Sequence, residues 1–281
     1  MIVVFIKILS LSSFKISLWI ADKISILLFH ISKKEKQMAK KNIERILRIE
    51  HPEELIKDIF KLAGRNFIYA IKQLEMTHTE ILENWMVVIG NNEMQKAYKK
   101  GKGVVCITAH LGCWELIATT IAALGYPTHV VARKVYDERL NKILVDYRNR
   151  MKVHSHDRDE DVKGMMLALR KGGLLGILMD QNTRVENIMC DFLGCPARTP
   201  SGPVSIALKT GAAIVPLFIH LRDDGKQVLE IEKEIDINEF KDLDKKEKIK
   251  ALTERCNAII GAKIMNHPEQ WVWFHDRWNN E

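Results

Sequence analysis

Short β-branched runs alternating with helical periods, beginning after residue 101, constrain this chain more than any other feature. Residues 104–108 (Val-Val-Cys-Ile-Thr) are too few for a helix and have the composition of a strand buried on both faces. Residues 115–124 read as a helix, closed by Gly125 with Pro127 beyond it. The alternation continues with a strand at 130–132, helices at 138–151 and 162–171, and a strand at 174–179. A helix at 204–209, strands at 213–219 and 228–235 and a closing helix at 245–265 complete it. Strands separated by helices join through right-handed crossovers, which place them parallel with helices covering both faces. The expected fold class is therefore α/β, with a mixed, largely parallel sheet flanked by helices. No internal repeat or low-complexity segment interrupts it.

Upstream the character is helical. In 52–98, Pro52-Glu53-Glu54 suits a helix start, and Ile59, Leu62, Ala63, Phe67, Ala70 and Leu74 recur at three- and four-residue steps. Residues 1–31 are apolar but broken by Lys7, Lys15, Asp22 and Lys23, so they lack the roughly 20 uncharged residues of a spanning helix. They also lack the layout of a cleavable signal peptide. A cluster from Lys33 to Arg48 follows, with seven cations against Glu35 and Glu44. An apolar helix beside a basic one suits in-plane attachment to an anionic membrane. The expected organisation is an N-terminal pair of membrane-associating helices over 1–50 and one α/β domain over 51–281.

The net charge of +7 favours an anionic partner. Nucleic acid is disfavoured, because the basic stretch carries neither interleaved aromatics nor a reading motif. Five cysteines without a CxxC pair suit a reducing compartment and give no zinc framework. His154-Ser155-His156-Asp157 reads as a solvated charged loop, so no metal is expected, and nothing asks for a cofactor.

Ligands of open α/β sheets bind beyond the carboxyl ends of the strands. Strand 104–108 delivers Ala109-His110-Leu111-Gly112-Cys113-Trp114-Glu115 to that edge. Residues five apart diverge on a continuous helix, but a bend at Gly112 lets His110 and Glu115 meet across a strand–turn–helix junction. A carboxylate on one imidazole nitrogen fixes the tautomer and makes the other a stronger base. Cys113, three residues after His110, leaves a thioesterase or acyl hydrolase with a cysteine nucleophile as a rival. A non-catalytic anionic-lipid-binding protein is the other.

Residues 108–115 resemble the HxxxxD/E motif of glycerolipid-type acyltransferases, and more closely the lipid A late acyltransferases, with the phosphatidylinositol mannoside acyltransferases as near relatives. Met38-Ala39-Lys40-Lys41-Asn42, the arginine-ending segment 137–150, Met179-Asp180-Gln181-Asn182, the loop 192–202 and the closing Pro268-Glu269-Gln270-Trp271 through Trp278 extend the likeness in order. Cys113 stands where the family often has asparagine, and Asp276 where it often has arginine. The resemblance implies a glycerolipid acyltransferase-like fold and O-acyl transfer from acyl-carrier protein or acyl-CoA to a glycolipid hydroxyl. It also implies the cytoplasmic face of a bacterial inner membrane. His110 becomes the general base, Glu115 its orienting carboxylate and Arg148 the oxyanion arginine. Arg133, Arg150, Asp180 and Arg198 become candidate substrate contacts.

Overall fold

A computed structural model of the chain describes residues 2–133, 135–182 and 186–279. Helices α1 (Ile2–Leu11), α2 (Phe14–Ile31), α3 (Lys33–Leu47), α4 (Glu53–Lys72) and α5 (His78–Asn84) come first. Then follow β1 (Met86–Ile89), α6 (Asn91–Tyr98), β2 (Val104–Thr108), α7 (Glu115–Ala123), β3 (Thr128–Ala132) and α8 (Glu138–Arg150). Next come β4 (Val153–Asp157), α9 (Val162–Arg170), β5 (Leu174–Leu178), β6 (Asn187–Phe192) and β7 (Cys195–Pro200). The chain closes with α10 (Gly202–Thr210), β8 (Ala213–Leu221), β9 (Gln227–Ile231) and α11 (Lys245–Asn266).

Seven strands form one sheet in the order β1-β9-β8-β2-β5-β3-β4. The block β8-β2-β5-β3-β4 is parallel; β9 runs antiparallel to β8, and β1 follows β9. The α/β fold with a mixed, largely parallel sheet is thus the one expected. Every side chain of β2 is buried, because apolar clusters cover both faces. One contains Val105, Ile107, Phe192, Phe218 and Trp271, the other Val104, Cys106, Ile117, Ile121 and Val215.

Four strands differ from the sequence reading. Strand β1 lies within a stretch read as helical, since four apolar residues carry no period of their own. His154-Ser155-His156-Asp157 is not a solvated loop but most of β4, an edge strand; paired among the described residues with Thr128 to Ala132 alone, it tolerates polar residues. The segment read as a loop over 192–202 contains most of the β6–β7 hairpin, whose two-residue turn Leu193-Gly194 has φ of 56° and 77°. Such turns usually announce themselves with asparagine or aspartate before glycine, and leucine there conceals the signal.

The N-terminal helices pack on the rest. Asn42 of α3 donates to the carbonyls of Trp273 and His275, both at 2.9 Å. Helix α2 turns small residues inward, with Ser17, Ala21 and Ser25 buried and Ser25 Oγ facing Gly64 of α4, where a Cβ would collide. Asp22 accepts from Arg65 through both oxygens, at 2.8 and 2.9 Å. Its outer side shows Ile16, Trp19, Leu27 and Ile31, with Trp19 63% exposed. Among the described residues no helix is long and apolar enough to cross a membrane.

Candidate active site

The site is built by two neighbouring strand ends. β2 and β5 are paired with Thr108 opposite Leu178, so residues two beyond each partner, His110 and Asp180, emerge level with one another. Met179 N–H donates to the Thr108 carbonyl at 3.2 Å, continuing the ladder one step further. Asp180 Oδ1 then sits 2.9 Å from His110 Nδ1, and Oδ2 accepts the His110 backbone N–H at 2.9 Å. Trp271 Nε1 donates to the same Oδ2 at 2.8 Å.

The loop between β2 and α7 is held from the other side. Gly112 has φ of +57°, and a Cβ there would collide with the Ile219 carbonyl. Its N–H donates to the Gln270 carbonyl at 3.0 Å, and Leu111 bridges Trp271. Trp114 stands edge-on to the His110 ring, centroids 5.0 Å apart. The imidazole is therefore fixed by a carboxylate, a backbone bond and an aromatic edge.

Electrostatics follow from burial and contact. Desolvation disfavours the charged imidazole, but the adjacent Asp180 carboxylate and its hydrogen bond outweigh it, and Glu115 adds, so His110 titrates above its usual 6.5. Burial of Asp180 works the other way, yet His110 and the donors around it keep that carboxylate below its ordinary range. With Asp180 ionised and acceptor-only, Nδ1 carries the proton and Nε2 is the basic nitrogen.

Glu115 was expected on the imidazole; instead its Oε2 accepts from Arg148 at 3.0 Å. That pair spans the start of α7 and the last turn of α8. Arg148 lines the same cleft as His110 and Glu115. Asp180 is wholly buried and its oxygens face His110 and Trp271. Arg133 lines the cleft, as does Arg158, which no sequence signal marked. Arg150 turns away, donating to the Leu74 carbonyl and lying over the Tyr147 ring. Arg198 lies in the hairpin, paired in register with Met189, and does not line the cleft. Cys113 is buried with its thiol donating to the Asn66 carbonyl at 3.3 Å, and burial pushes it far up. An inert, neutral thiol argues against the hydrolase reading.

The cleft has a volume of about 1530 Å³, its open mouth included, and mixes Arg133, Arg148, Arg158 and Gln181 with apolar walls. At Trp114, Glu115, Val135 and Leu144 it meets a groove of about 1250 Å³. That groove is walled almost wholly by apolar side chains, including Ala63 and Ala70 of α4, Ile143 of α8 and Phe274. A cleft edged by arginines thus opens beside an apolar groove at the catalytic histidine candidate.

The family model for bacterial lipid A biosynthesis acyltransferase matches residues 1–280. A phosphatidylinositol mannoside acyltransferase of Mycolicibacterium smegmatis is 22% identical over 249 residues, 86% of this chain and 79% of that protein. A lipid A biosynthesis acyltransferase of Haemophilus influenzae is 22% identical over 279 residues, 96% of this chain and 83% of its own. A lipid A biosynthesis lauroyltransferase of Escherichia coli is 26% identical over 200 residues, 70% of this chain and 62% of its own.

Proposed function

The chain belongs to the bacterial lipid A biosynthesis acyltransferase family and is an O-acyltransferase, and from that premise we propose the substrates, the chemistry and the place of action. It moves a fatty acyl group from a thioester, on acyl-carrier protein or coenzyme A, to a hydroxyl of a lipid A precursor or related glycolipid. His110 is the general base. Its Nε2 takes the acceptor hydroxyl proton while that oxygen attacks the thioester carbonyl carbon. The tetrahedral oxyanion is stabilised by the Arg148 guanidinium, which Glu115 holds at the cleft wall. Collapse breaks the carbon–sulfur bond, and the leaving thiolate recovers the proton from the imidazolium. No acyl-enzyme forms. Asp180 is the positioning residue that fixes the tautomer, in the place the spacing suggested for Glu115.

The single observation that carries this reading is His110, backed by Asp180, at a cleft carrying three arginines that joins an apolar groove. The acyl tail occupies the apolar groove, and the acceptor headgroup the chamber lined by Arg133 and Arg158. The protein works on a membrane surface, at the cytoplasmic face of a bacterial inner membrane. Helix α2 supports that placement: it buries small residues and exposes large apolar ones, the reverse of a helix facing water on its outer side. Lys23 over the Trp19 ring adds a cation suited to anionic headgroups.

Purified protein in detergent, given an acyl-carrier thioester and a lipid A precursor beside a His110→Ala control, tests the proposal. Transfer that depends on His110 supports base and acceptor together. Release of free fatty acid with no acylated lipid refutes the acceptor.

A further inference from the structure

On the far side of the Gly112 loop, three potential ligands converge without any part in the acyl-transfer chemistry. His220 lies on β8, Glu230 on β9, and His267 caps the C-terminus of α11. One ligand atom from each lies within 4.8 Å of the others. The two imidazoles stack at 4.1 Å with planes 16° apart, so one ring must turn out of the stack for both nitrogen lone pairs to meet at one cation. His220 Nδ1 is 3.3 Å from Glu230 Oε1. That spacing is roughly the edge of a tetrahedron with metal–ligand bonds of about 2.0–2.1 Å. We propose that His220, Glu230 and His267 form a site for a divalent transition-metal cation of the zinc class, completed by water.

The surroundings suit a cation of that charge. Lys263 bonds Glu230 Oε2 and Glu232 Oε1, each at 2.6 Å. This leaves Glu230 Oε1 toward His220 and fixes the carboxylate's orientation, as second-shell partners do. Glu269 Oε1 lies 4.0 Å from His267 Nδ1, and Lys263 is matched by Glu230 and Glu232. Two imidazoles and one carboxylate are a donor set for zinc rather than magnesium or calcium.

A cation there clamps three elements at a useful place. His267 leads directly into the segment that supplies the Gln270 carbonyl to Gly112 and the Trp271 indole to Asp180. The following residue of β8, Leu221, pairs with the Gln270 side chain at 2.8 Å in both directions. The metal is structural, tying the closing segment to the sheet beneath the catalytic loop.

Chelator-stripped protein is titrated with Zn2+ against a chromophoric competitor, and with Co2+ followed by visible absorption. One equivalent of Zn2+ binds at about 1 µM or tighter, and Co2+ gives the intense bands of a tetrahedral site. His220→Gln and His267→Gln each weaken binding by more than the roughly 10- to 100-fold that a second-shell loss costs. The His154→Gln/His156→Gln double variant binds as the unaltered protein does. Hydrogen exchange on the unaltered protein needs no variant: Zn2+ slows amides at 217–221 and 263–271. Absence of stoichiometric binding, protection elsewhere, or a site that follows His154 and His156 overturns the proposal.

Discussion

Replacing Asp180 with asparagine tests the assignment of the positioning residue most directly. Oδ2 receives two donors, the His110 N–H and the Trp271 indole, while Oδ1 receives one. The asparagine oxygen must stay at the Oδ2 position, because its NH2 there would face two N–H groups. The amide NH2 then points at His110 Nδ1, which can only accept it. The ring proton moves to Nε2, and the nitrogen that should receive the hydroxyl proton is already protonated. The same tautomer inversion costs about 10⁴-fold in kcat in serine-protease triads. A loss of about 10³- to 10⁴-fold is expected here, or roughly 4–5.5 kcal/mol in the barrier. KM changes little, since Asp180 is wholly buried behind His110 and does not itself line the cleft. The assay is acyl transfer at saturating donor in detergent, with nitrogen-15 spectra of histidine reporting the tautomer. A variant with kcat within about tenfold of the unaltered enzyme would refute the reasoning. The pH profile gives a second reading. His110 titrates above 6.5 when folded, so the active base form is lost as pH falls through that raised value. The stability gained from the protonated pair is full below about 6.5 and is lost as pH rises through the folded value. Activity and this stability increment therefore run in opposite directions over one window.

Four other outcomes follow from the same geometry. Glu115→Gln and Arg148→Ala each reduce kcat by about 10- to 1000-fold, and the double variant costs little more than the worse single, because the two act as one unit; additive losses in a double-mutant cycle would separate them. Ala70→Phe narrows the apolar groove and shifts donor preference toward shorter acyl chains; an unchanged preference in a donor series read by mass spectrometry would place the acyl tail elsewhere. Trp19→Glu with Leu27→Glu removes two exposed apolar anchors worth about 1.5–3 kcal/mol each if buried in lipid, so binding to anionic vesicles drops by more than about 100-fold while detergent activity persists. Asn42→Ala leaves the Trp273 and His275 carbonyls without their donor and destabilises the fold by roughly 2–4 kcal/mol, read from the urea midpoint.

Much of the site's position was legible in the residues. The run from Val104 to Thr108 is a strand because its β-branched side chains are buried on both faces, and His110 follows it at the edge where ligands bind. Asn42 belonged to a recognisable segment, but only packing shows that its amide spans 231 residues of sequence to hold Trp273. The β6–β7 hairpin was hidden by leucine in a turn that asparagine usually occupies. Cys113, three residues after His110, invited a nucleophile, and its burial with the thiol bonded to the Asn66 carbonyl withdrew it.

The sequence by itself determined the α/β alternation, the strand end that carries His110, and the family motif around it, since these depend on local periodicity and residue type. The tertiary structure alone decided which carboxylate serves the imidazole. Glu115 is five residues from His110 and Asp180 is seventy, yet Thr108 pairs with Leu178, and that register sets Asp180 level with the ring while Arg148 draws Glu115 away. Spacing along a chain measures reach only within one element; across a sheet, hydrogen-bond register fixes which side chains meet.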